Sequence, residues 1–503
     1  MTGSPVRVHL ADEDATSRLG EDIAAILRPG DALLLSGDLG MGKTTLARAV
    51  IRALAGDPAL DVPSPTFTMV QSYPGRVPVH HFDLYRLAAP DELEELGLAE
   101  ALGEGAVLVE WPERAEGALP AGAARLVLSE AGDGRDAEIT GPAAFLARLS
   151  RSLAIRAFLD GAGLPGAARR FLTGDASARA YETVSLPGRP AVILMDAPRR
   201  PDGPPIRDGL PYSRIAHLAE SVTPFVAIAG ALRAEGFCAP EIYAADLDRG
   251  LLLVENLGAE GVLDGDGSPV PERYIAAAEL LAEMHARDWP RRIDVASGIV
   301  HEVPPYDRRA LAIETELLTD WYLPHVSGRP VDKGTVDEAA RAAYGAAWAG
   351  VFDLLEDAEK TLVLRDYHSP NLIWRADREG RDRVGLIDFQ DAVIGPAAYD
   401  VASLAMDARV DIPPELERSL VEAYCAARAA QGGFDRAGFD VAYAAMAAQR
   451  NSKILGIFVR LNLRDGKPGY MRHLPRIRDY LSRALAHPAL GELRAFYAGA
   501  GIL

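Results

Sequence analysis

The sequence has few cysteines, no long apolar run and no leader-like start. Its two cysteines, Cys238 and Cys425, lie far apart and form no CxxC pair, which predicts two reduced, partly buried thiols instead of a disulfide or a metal site. No apolar stretch approaches the roughly 18 residues that a membrane helix needs, and residues 1–9 contain no apolar signal core. From these absences we expect a cytoplasmic protein.

A basic surface is also lacking. The chain has 53 basic and 72 acidic residues, a net charge of −19, and both the first 150 residues and the remainder are acidic. Binding to a nucleic acid requires positive charge that neutralises phosphates, so strong direct binding is not expected, and any link to RNA has to run through partner proteins. With 503 residues the chain is too long for one hydrophobic core and predicts two or three domains.

A glycine-rich motif lies early in the chain. Residues Gly37–Thr44 match G-x-x-x-x-G-K-[ST], between a predicted strand at Ala32–Ser36 and a predicted helix from about Lys43 to Leu54. In such a loop the backbone N–H groups face phosphate oxygens, the lysine reaches the β- and γ-phosphates, and the hydroxyl of Thr44 ligates Mg²⁺. The predicted ATP contacts are Gly37, Gly40, Gly42, Lys43, Thr44 and Thr45.

Two later strands carry acidic residues at their ends. The predicted strand Val79–Leu84 ends near Asp83, and the predicted strand Ala106–Glu110 ends in Glu110. Terminal acids beside a P-loop indicate a parallel sheet with the site at the carboxyl ends of its strands. Asp83 is placed as a Mg²⁺-site acid, whereas position alone leaves Glu110 open between a catalytic and a solvated acid.

Four motifs in this region together resemble the TsaE family, the small bacterial ATPases of N6-threonylcarbamoyladenosine synthesis on tRNA. They are Gly37–Thr44, Ser-Pro-Thr-Phe-Thr at 64–68, His-Phe-Asp-Leu-Tyr-Arg at 81–86 and Val-Glu-Trp-Pro at 109–112. The resemblance implies an α/β P-loop NTPase domain over residues 1–150, with a parallel-sheet core. It also implies that the domain works beside TsaB- and TsaD-like proteins, and that ATP turnover resets the complex of these proteins.

The same resemblance implies roles for individual residues. Thr66 belongs to a switch-like loop that senses the γ-phosphate, Asp83 to the Mg²⁺ site, and Glu110 acts as a catalytic acid near the attacking water, together with Lys43. An alternative reading makes this part an interaction module with vestigial ATPase activity.

A second motif cluster lies far from the P-loop. Asp366 and Asn371 have the spacing of the kinase catalytic loop H-R-D-x-x-x-x-N, and Asp388 begins Asp-Phe-Gln, which is similar to the metal-binding D-F-G. In this template Asp366 accepts the proton of the acceptor hydroxyl, while Asn371 and Asp388 hold Mg²⁺ on the ATP phosphates. Asp400, further along, is predicted to bind loop amides, and His285 to be a packed histidine.

The order of elements around this cluster is kinase-like. A β-rich small lobe at about 151–258 is followed by a helical lobe at about 259–503, which predicts an α+β bilobal protein-kinase-like domain over residues 151–503. Glu255 lies in a predicted interlobe hinge whose backbone meets adenine. The strand ending at Met195 lacks the usual kinase lysine, and we hypothesise that Arg179 or Arg365 supplies that positive charge.

Residues 155–490 resemble the aminoglycoside phosphotransferase-like kinases, and among them the AmgK family of anomeric sugar kinases of cell-wall recycling. The motifs that carry the resemblance are residues 173–179, residues 195–198, the catalytic loop with its Arg365, and residues 449–456. The resemblance implies phosphorylation of N-acetylmuramate and N-acetylglucosamine at the anomeric hydroxyl. Two alternatives stay open: a regulatory pseudokinase, or a kinase whose acceptor is an aminoglycoside, choline or homoserine.

Overall fold

The computed structural model describes residues 3–90, 92–172, 179–328 and 338–503. By their contacts they form two compact units, residues 1–196 and residues 197–503. The predicted boundary near residue 150 falls within one continuous helix, Ala143–Gly161, and the division into domains 1–150 and 151–503 stays a prediction. In the part that the structure describes, no helix is both long enough and apolar enough to cross a lipid bilayer.

The described residues of the first unit form ten strands and five α-helices. The strands are β1 (Val6–Leu10), β2 (Ala32–Ser36), β3 (Val70–Tyr73), β4 (Val79–Asp83), β5 (Ala106–Glu110), β6 (Ala124–Ala131), β7 (Gly134–Thr140), β8 (Ala168–Leu172), β9 (Ala180–Ser185) and β10 (Val192–Asp196). The helices are α1 (Glu13–Ile26), α2 (Lys43–Ala55), α3 (Glu92–Glu95), α4 (Leu98–Glu104) and α5 (Ala143–Gly161). The predicted strands and the P-loop helix are confirmed within three residues.

Seven of these strands form one sheet in the order β1-β7-β6-β2-β5-β4-β3. The central strands β6, β2, β5 and β4 run parallel, while β1, β7 and β3 pair antiparallel at the margins. Strands β2 and β5 are buried along almost their whole length because they are covered on both faces, as parallel strands usually are. The predicted parallel core is therefore confirmed, and the marginal strands β1 and β3 are additions to it.

The register of the sheet brings its acidic strand ends together. Asp83 pairs with Glu110 across β4 and β5, and Leu35 pairs with Glu110 across β2 and β5. Both carboxylates therefore lie at the edge from which the P-loop leaves β2.

Strands β8, β9 and β10 form an antiparallel meander in the same unit. Leu172 pairs with Tyr181 across β8 and β9, and Met195 pairs with Tyr181 across β9 and β10. The side chain at the position where kinases carry lysine, Met195, is buried and apolar.

The second unit is mainly helical. Its strands are β11 (Ile242–Asp246), β12 (Leu251–Val254), β13 (Arg292–Ala296), β14 (Ile299–Glu302), β15 (Lys360–Val363), β16 (Leu372–Trp374), β17 (Val384–Leu386) and β18 (Val393–Pro396). Its helices are α6 (Tyr212–Ile215), α7 (Thr223–Ala234), α8 (Pro271–His285), α9 (Arg308–Thr315), α10 (Leu323–Val326), α11 (Glu338–Asp353), α12 (Ala398–Ala405), α13 (Pro414–Gln431), α14 (Arg436–Leu463), α15 (Leu474–Ala484) and α16 (Gly491–Gly499).

Two features of the second unit were not predicted in detail. Residues 212–235 contain two helices, α6 and α7, because Thr223 and Pro224 begin a new helix after an irregular segment. The hairpin β13–β14 was not predicted, since its strands are short and largely exposed.

Candidate active sites

The P-loop has the backbone that its glycines make possible. Gly37, Gly40 and Gly42 have φ of +140°, +84° and +99°, a region that other residues rarely adopt. A Cβ at Gly37 would lie 2.8 Å from the carbonyl oxygen of Leu128, whereas a Cβ at Gly40 or Gly42 would meet only open space. The loop therefore needs glycine for its conformation and leaves room for a ligand above the start of α2.

The ammonium group of Lys43 lies inside the loop. Its Nζ donates hydrogen bonds to the carbonyl oxygens of Gly37, at 2.7 Å, and Asp38, at 2.9 Å, and stands 3.7 Å above the ring of Trp111. Burial lowers the pKa of Lys43, and nearby carboxylates, first Glu110, oppose that shift. The lysine is thus held at the loop with no carboxylate of the described residues in direct contact, as a phosphate-binding cation should be.

Thr44 and Glu110, two predicted site residues, are in direct contact. The Thr44 hydroxyl donates to Glu110 Oε2 at 2.9 Å, and the other carboxylate oxygen, Oε1, lies 2.9 Å from His81 Nε2. His81 and Glu110 are buried, and Thr45 follows half-buried in α2. Sequence reasoning gave His81 no role, although it stands in the quoted motif at residues 81–86.

Asp83 has different neighbours from those of Glu110. Its Oδ2 accepts hydrogen bonds from the hydroxyls of Ser64, at 2.7 Å, and Thr66, at 2.6 Å, while Oδ1 accepts the N–H of Tyr85 at 3.0 Å. The structure therefore joins Asp83 to the loop that contains Thr66 and joins Thr44 to Glu110. The roles of Asp83 at Mg²⁺ and Thr66 at the γ-phosphate stay predictions.

The oxygen ligands at this edge suit a magnesium ion that phosphate groups complete. Mg²⁺ prefers oxygen and is usually bound by one or two carboxylates together with substrate phosphates. Thr44, Glu110 and Asp83 supply such oxygens, and the described residues contain no group of three or more acidic, histidine or cysteine side chains that could hold a metal alone. The site thus fits Mg²⁺ bound with a nucleotide.

In the second unit, Asp400 fixes the backbone of the kinase-like loop. Its two carboxylate oxygens accept the N–H groups of Leu364, at 2.6 Å, and Arg365, at 2.9 Å, and the residue is fully buried. Arg365 has a φ of +69°, so these bonds hold an otherwise unfavourable conformation just before Asp366. The structural role predicted for Asp400 is confirmed. His285 is packed as predicted, with Nδ1 2.9 Å from the hydroxyl of Tyr424.

The three predicted chemical residues of this loop are linked through Asn371. Its side-chain Nδ2 donates to the backbone carbonyl oxygen of Asp366 at 2.9 Å. Its backbone carbonyl oxygen accepts the N–H of Ile387, the residue before Asp388, at 3.1 Å. Asp388 has a φ of +60°, and its Oδ1 accepts a bond from Gln390 at 2.9 Å. The backbone thus holds the Asp366 and Asp388 segments side by side.

The Asp366 carboxylate is ionised in its surroundings. Burial alone would raise its pKa, but His368, Lys453 and Arg450 outweigh that effect and lower the pKa below its ordinary value. The side chain remains 45% exposed, so a substrate hydroxyl can reach a charged proton acceptor.

The hypothesis that Arg365 replaces the kinase lysine is not supported. Its guanidinium donates to the carbonyl oxygen of Ala216 at 2.8 Å and forms a buried ion pair with Glu314. Lys453 also pairs with Glu314, at 2.9 Å, so Arg365 belongs to a buried charge cluster. Arg179 lies directly before β9 in the first unit, and its role stays a prediction.

Glu255 stands at the end of β12, as expected of a hinge. Its backbone N–H already donates to the carbonyl oxygen of Glu241 at 2.8 Å, and its carboxylate lies 3.6 Å from Arg233 and 3.9 Å from Arg375. A backbone contact with adenine at Glu255 would therefore use its carbonyl oxygen.

Of the motif at 173–179, residues 173–178 lie outside the described residues.

Arg450 is a functional candidate that sequence reasoning missed. It lies within α14 and is 4% exposed, and within the described ranges its Nη1 has no hydrogen-bond partner. Its charge acts on Asp366 and on His368. The signal was present in the run Gln449–Lys453, five consecutive polar residues within the long helix α14, most of which were used only for the resemblance.

Two family models match this chain. Residues 10–137 match the model described as "Threonylcarbamoyl adenosine biosynthesis protein TsaE", and residues 168–439 match "Phosphotransferase enzyme family". Because the second match spans more than half of the chain, the chain belongs to the phosphotransferase enzyme family. The predicted fold, a P-loop NTPase domain followed by a protein-kinase-like domain, is confirmed.

Individual relatives narrow this assignment. The chain is 38% identical over 358 residues to the N-acetylmuramate/N-acetylglucosamine kinase of Caulobacter vibrioides, a match that covers 69% of this chain and 96% of that relative. It is 33% identical over 330 residues to the protein of that name in Pseudomonas aeruginosa, which covers 64% of this chain and 85% of the relative. Within its family it therefore belongs with the N-acetylmuramate/N-acetylglucosamine kinases.

The N-terminal part has relatives of its own. It is 42% identical over 105 residues to the tRNA threonylcarbamoyladenosine biosynthesis protein TsaE of Rickettsia felis, a match that covers 21% of this chain and 61% of that protein. The chain is thus a TsaE domain fused to a phosphotransferase-family kinase, as the sequence motifs predict. Both families use ATP.

Proposed function

We propose that the C-terminal part phosphorylates N-acetylmuramate and N-acetylglucosamine at the anomeric hydroxyl with ATP, as a step of cell-wall recycling. The observation that carries the proposal is the half-exposed Asp366 carboxylate, in a loop held by Asn371 and by the Asp400 contacts with Leu364 and Arg365. The names of the relatives support the choice of acceptor.

Each residue of the loop has a defined task in this reaction. Asp366 accepts the proton of the anomeric hydroxyl as the oxygen attacks the γ-phosphorus. Asn371 and Asp388 would hold Mg²⁺, which neutralises charge on the ATP phosphates when bound. The carbonyl oxygen of Glu255 and the side chain of Arg179 are proposed nucleotide contacts.

For the N-terminal part we propose ATP hydrolysis that supports N6-threonylcarbamoyladenosine modification of tRNA, next to TsaB- and TsaD-like proteins. Gly37–Thr44 binds the phosphates, and Thr44 and Asp83 would ligate Mg²⁺. Glu110 orients the attacking water, and its buried contact with His81 fixes the carboxylate for that task. Because both proposed reactions consume ATP, we place the protein in the cytoplasm.

Neither alternative for the C-terminal part is favoured. A regulatory pseudokinase would have no need of an ionised Asp366 with Asn371 and Asp388 in correct order. An aminoglycoside or choline acceptor would be cationic, and homoserine would bring an ammonium group beside its carboxylate, whereas Arg450 offers a buried positive charge to the region of Asp366.

A direct assay tests the kinase. The purified full chain is incubated with ATP, Mg²⁺ and each acceptor in turn, and sugar phosphate is detected by ³¹P NMR. Because the phosphate would sit on the anomeric carbon, the product should lose its reducing-end reactivity with the reagents that report free aldehyde. Product from the two amino sugars, absent with Asp366→Asn, supports the proposal; phosphorylation of only aminoglycoside, choline or homoserine contradicts it.

The N-terminal function is tested in cells. A strain whose own TsaE is depleted should recover N6-threonylcarbamoyladenosine in its tRNA when the full chain is expressed with its TsaB- and TsaD-like partners. Lys43→Ala should not restore the modification. If it restores the modification fully, the N-terminal part acts as an interaction module without needed ATP turnover.

A further inference from the structure

A buried ion network joins helix α1 of the P-loop part to strands β8 and β9. Arg169, on β8, donates from Nη1 to Asp22 Oδ1 at 2.6 Å, and from Nε and Nη2 to the two oxygens of Glu182 at 2.6 and 2.9 Å. Asp22 lies on α1 and Glu182 on β9. Only 2% of the Asp22 side chain and 4% of the Arg169 side chain are exposed. One guanidinium thus links a carboxylate from each of two distant segments.

Helix α5 completes the network. Arg156 donates from Nη2 to Asp22 Oδ1 at 3.1 Å and from Nη1 to the carbonyl oxygen of Ala167 at 2.7 Å. The hydroxyl of Ser152 lies 3.0 Å from Arg169 Nη1. Charges this deeply buried are tolerated only when they are paired and hydrogen-bonded, and a bidentate arginine also fixes the relative orientation of its partners.

A second ion pair holds the third strand of the meander. Arg151, also on α5, lies 2.5 Å from Asp196, the last residue of β10. Helices α1 and α5 therefore hold all three strands, β8 through Arg169, β9 through Glu182 and β10 through Asp196.

Helix α1 is itself packed tightly on the P-loop helix. A Cβ at Gly20 would lie 2.5 Å from the Cβ of Ala49 on α2, so the two helices touch at this glycine. Asp22 follows Gly20 by two residues, and α2 begins at Lys43. The support of β8 and β9 is therefore the rigid helix pair that also carries the P-loop.

The supported strands belong to the kinase. The region that matches the phosphotransferase family begins at residue 168, the first residue of β8. Strand β9 begins at Ala180, one residue after Arg179, the proposed nucleotide contact. A side chain of the P-loop part thus fixes the strands that lead to a residue proposed to bind ATP in the other reaction.

We infer that Asp22, a residue of the P-loop part, is a positioning residue for the sugar kinase reaction: through Arg169 and Glu182 it fixes strands β8 and β9 and thereby the start of β9 at Arg179. This inference rests on the proposed kinase function. It makes the TsaE domain a structural component of the kinase, beyond a second enzyme on the same chain.

Removal of the Asp22 carboxylate is expected to weaken the binding of ATP and to leave the binding of the sugar unchanged. Without Asp22, Arg169 keeps Glu182 on β9 and Ser152 on α5 but loses its partner on α1, so β8 and β9 lose their anchor on α1 while the catalytic loop at Asp366 is untouched. Because Arg179 is proposed to contact the nucleotide, its displacement should weaken ATP binding and leave proton transfer at Asp366 intact. We expect Asp22→Ala to raise the KM for ATP about tenfold, and Asp22→Asn, which loses the charge but keeps an acceptor oxygen, to raise it less, with the KM for the sugar and kcat nearly unchanged in both.

The test uses the full chain and measures sugar phosphate, so that ATP hydrolysis at the P-loop does not enter the signal. Wild type, Asp22→Asn and Asp22→Ala are compared at a temperature well below the unfolding midpoint of each. Asp31→Asn is the matched control: Asp31 pairs with Arg148 on α5 at 2.6 Å, but neither residue contacts β8 or β9. Asp22→Glu keeps the charge and should restore part of the ATP affinity.

The outcomes separate the inference from its premise. A raised KM for ATP in both Asp22 variants, with Asp31→Asn like wild type, supports it. An unchanged KM for ATP in Asp22→Ala, or an equal rise in Asp31→Asn, overturns it. If the wild type itself makes no sugar phosphate, the proposed kinase function has failed first. If Asp22→Ala does not fold, the decision falls to Asp22→Asn: a raised KM for ATP in that variant supports the inference and an unchanged one overturns it.

Discussion

The hydroxyl of Thr44 donates a hydrogen bond to Oε2 of Glu110 across 2.9 Å, which joins the P-loop helix to the end of the neighbouring strand β5. The second oxygen of Glu110 is held by His81, so the carboxylate has little freedom. An acid fixed next to the proposed Mg²⁺ ligand is well placed to orient a water for attack on the γ-phosphate.

Glu110→Gln should therefore abolish ATP hydrolysis while the chain stays folded. Glutamine can keep the contacts with Thr44 and His81 but cannot act as a base, and loss of such a group costs about 10²–10⁴-fold in rate. Phosphate release is measured with TsaB- and TsaD-like partners present and no sugar. Sugar phosphorylation by the same variant is the control and should equal wild type; ATP hydrolysis retained at the wild-type rate would remove Glu110 from the chemistry.

Asp366→Asn should abolish the other reaction. Asparagine keeps the shape of the loop and its backbone contact with Asn371 but cannot accept the proton of the sugar hydroxyl, so kcat should fall about 10²–10⁴-fold. Binding of ATP, followed by calorimetry in the presence of Mg²⁺, should be retained. ATP hydrolysis by the P-loop part, assayed alongside, should be unchanged. A variant with normal kcat would show that Asp366 is not the proton acceptor.

The sequence predicted residues whose chemistry depends on local spacing, and it missed those defined by distant contacts. The P-loop conformation, β2, β5 and the order of Asp366, Asn371 and Asp388 follow from glycines, apolar runs and motif spacing. The contact of Thr44 with Glu110 joins residues 66 positions apart, and the local sequence of neither segment predicts it. Packing decides such contacts, as it does for Asp22 and Arg169, which lie 147 positions apart.

The burial of Arg365 shows that motif position alone can also assign a residue to a site from which distant contacts remove it. Position in the motif made it a candidate for the phosphates, but Glu314 and Ala216, from segments far away in sequence, turn its guanidinium into the core. Likewise, the sequence does not distinguish Arg450 from the other basic residues of a long helix. Only the structure shows that it is buried and that its Nη1 has no partner among the described residues.

Asp400→Ala should destabilise the loop conformation before Asp366 and lower the free energy of unfolding of the protein. It leaves the buried N–H groups of Leu364 and Arg365 without an acceptor, and each such group costs about 1–3 kcal/mol. The free energy of unfolding of the second unit should therefore fall by about 2–6 kcal/mol, measured by urea denaturation. Asp400→Asn, which keeps one acceptor oxygen, should fall between this variant and wild type; equal stability of all three would contradict the role of Asp400.

Arg450→Met should weaken binding of the sugar and leave ATP binding intact. A buried arginine near Asp366, whose Nη1 has no hydrogen-bond partner among the described residues, suits an anionic or carbonyl group of the acceptor, and a hydrogen bond to a charged group contributes about 1.5–3 kcal/mol. The KM for N-acetylmuramate, which carries a carboxylate, should rise about 10–100-fold, and more than the KM for N-acetylglucosamine. Arg464→Met, directly after the end of α14 and paired with Asp465 in solvent, is the control. Equal loss for both sugars would place Arg450 away from the carboxylate.

Glu314→Gln should change how the stability of the second unit depends on pH. Burial alone would raise the pKa of Glu314, but Lys453 and Arg365, with a hydrogen bond from Tyr306, outweigh burial and lower the pKa from 4.5 to about 2. A carboxyl group whose pKa is lower in the folded state stabilises the fold fully above its unfolded pKa, near 4.5. That contribution is lost as the pH falls toward 2.

At pH 7 the Gln variant leaves two buried cations without their carboxylate, and removal of one partner of a buried pair costs about 3–5 kcal/mol. The difference in free energy of unfolding between wild type and Glu314→Gln, followed by urea denaturation, should be constant from pH 7 to about 5 and shrink as the pH falls from about 4.5 toward 3. Glu316→Gln is the matched control, because Glu316 pairs with Arg207 at 2.5 Å in a more exposed place and should cost at most about 1 kcal/mol. A difference that stays constant down to pH 3 would show that the carboxylate of Glu314 does not bind its cations in the folded protein.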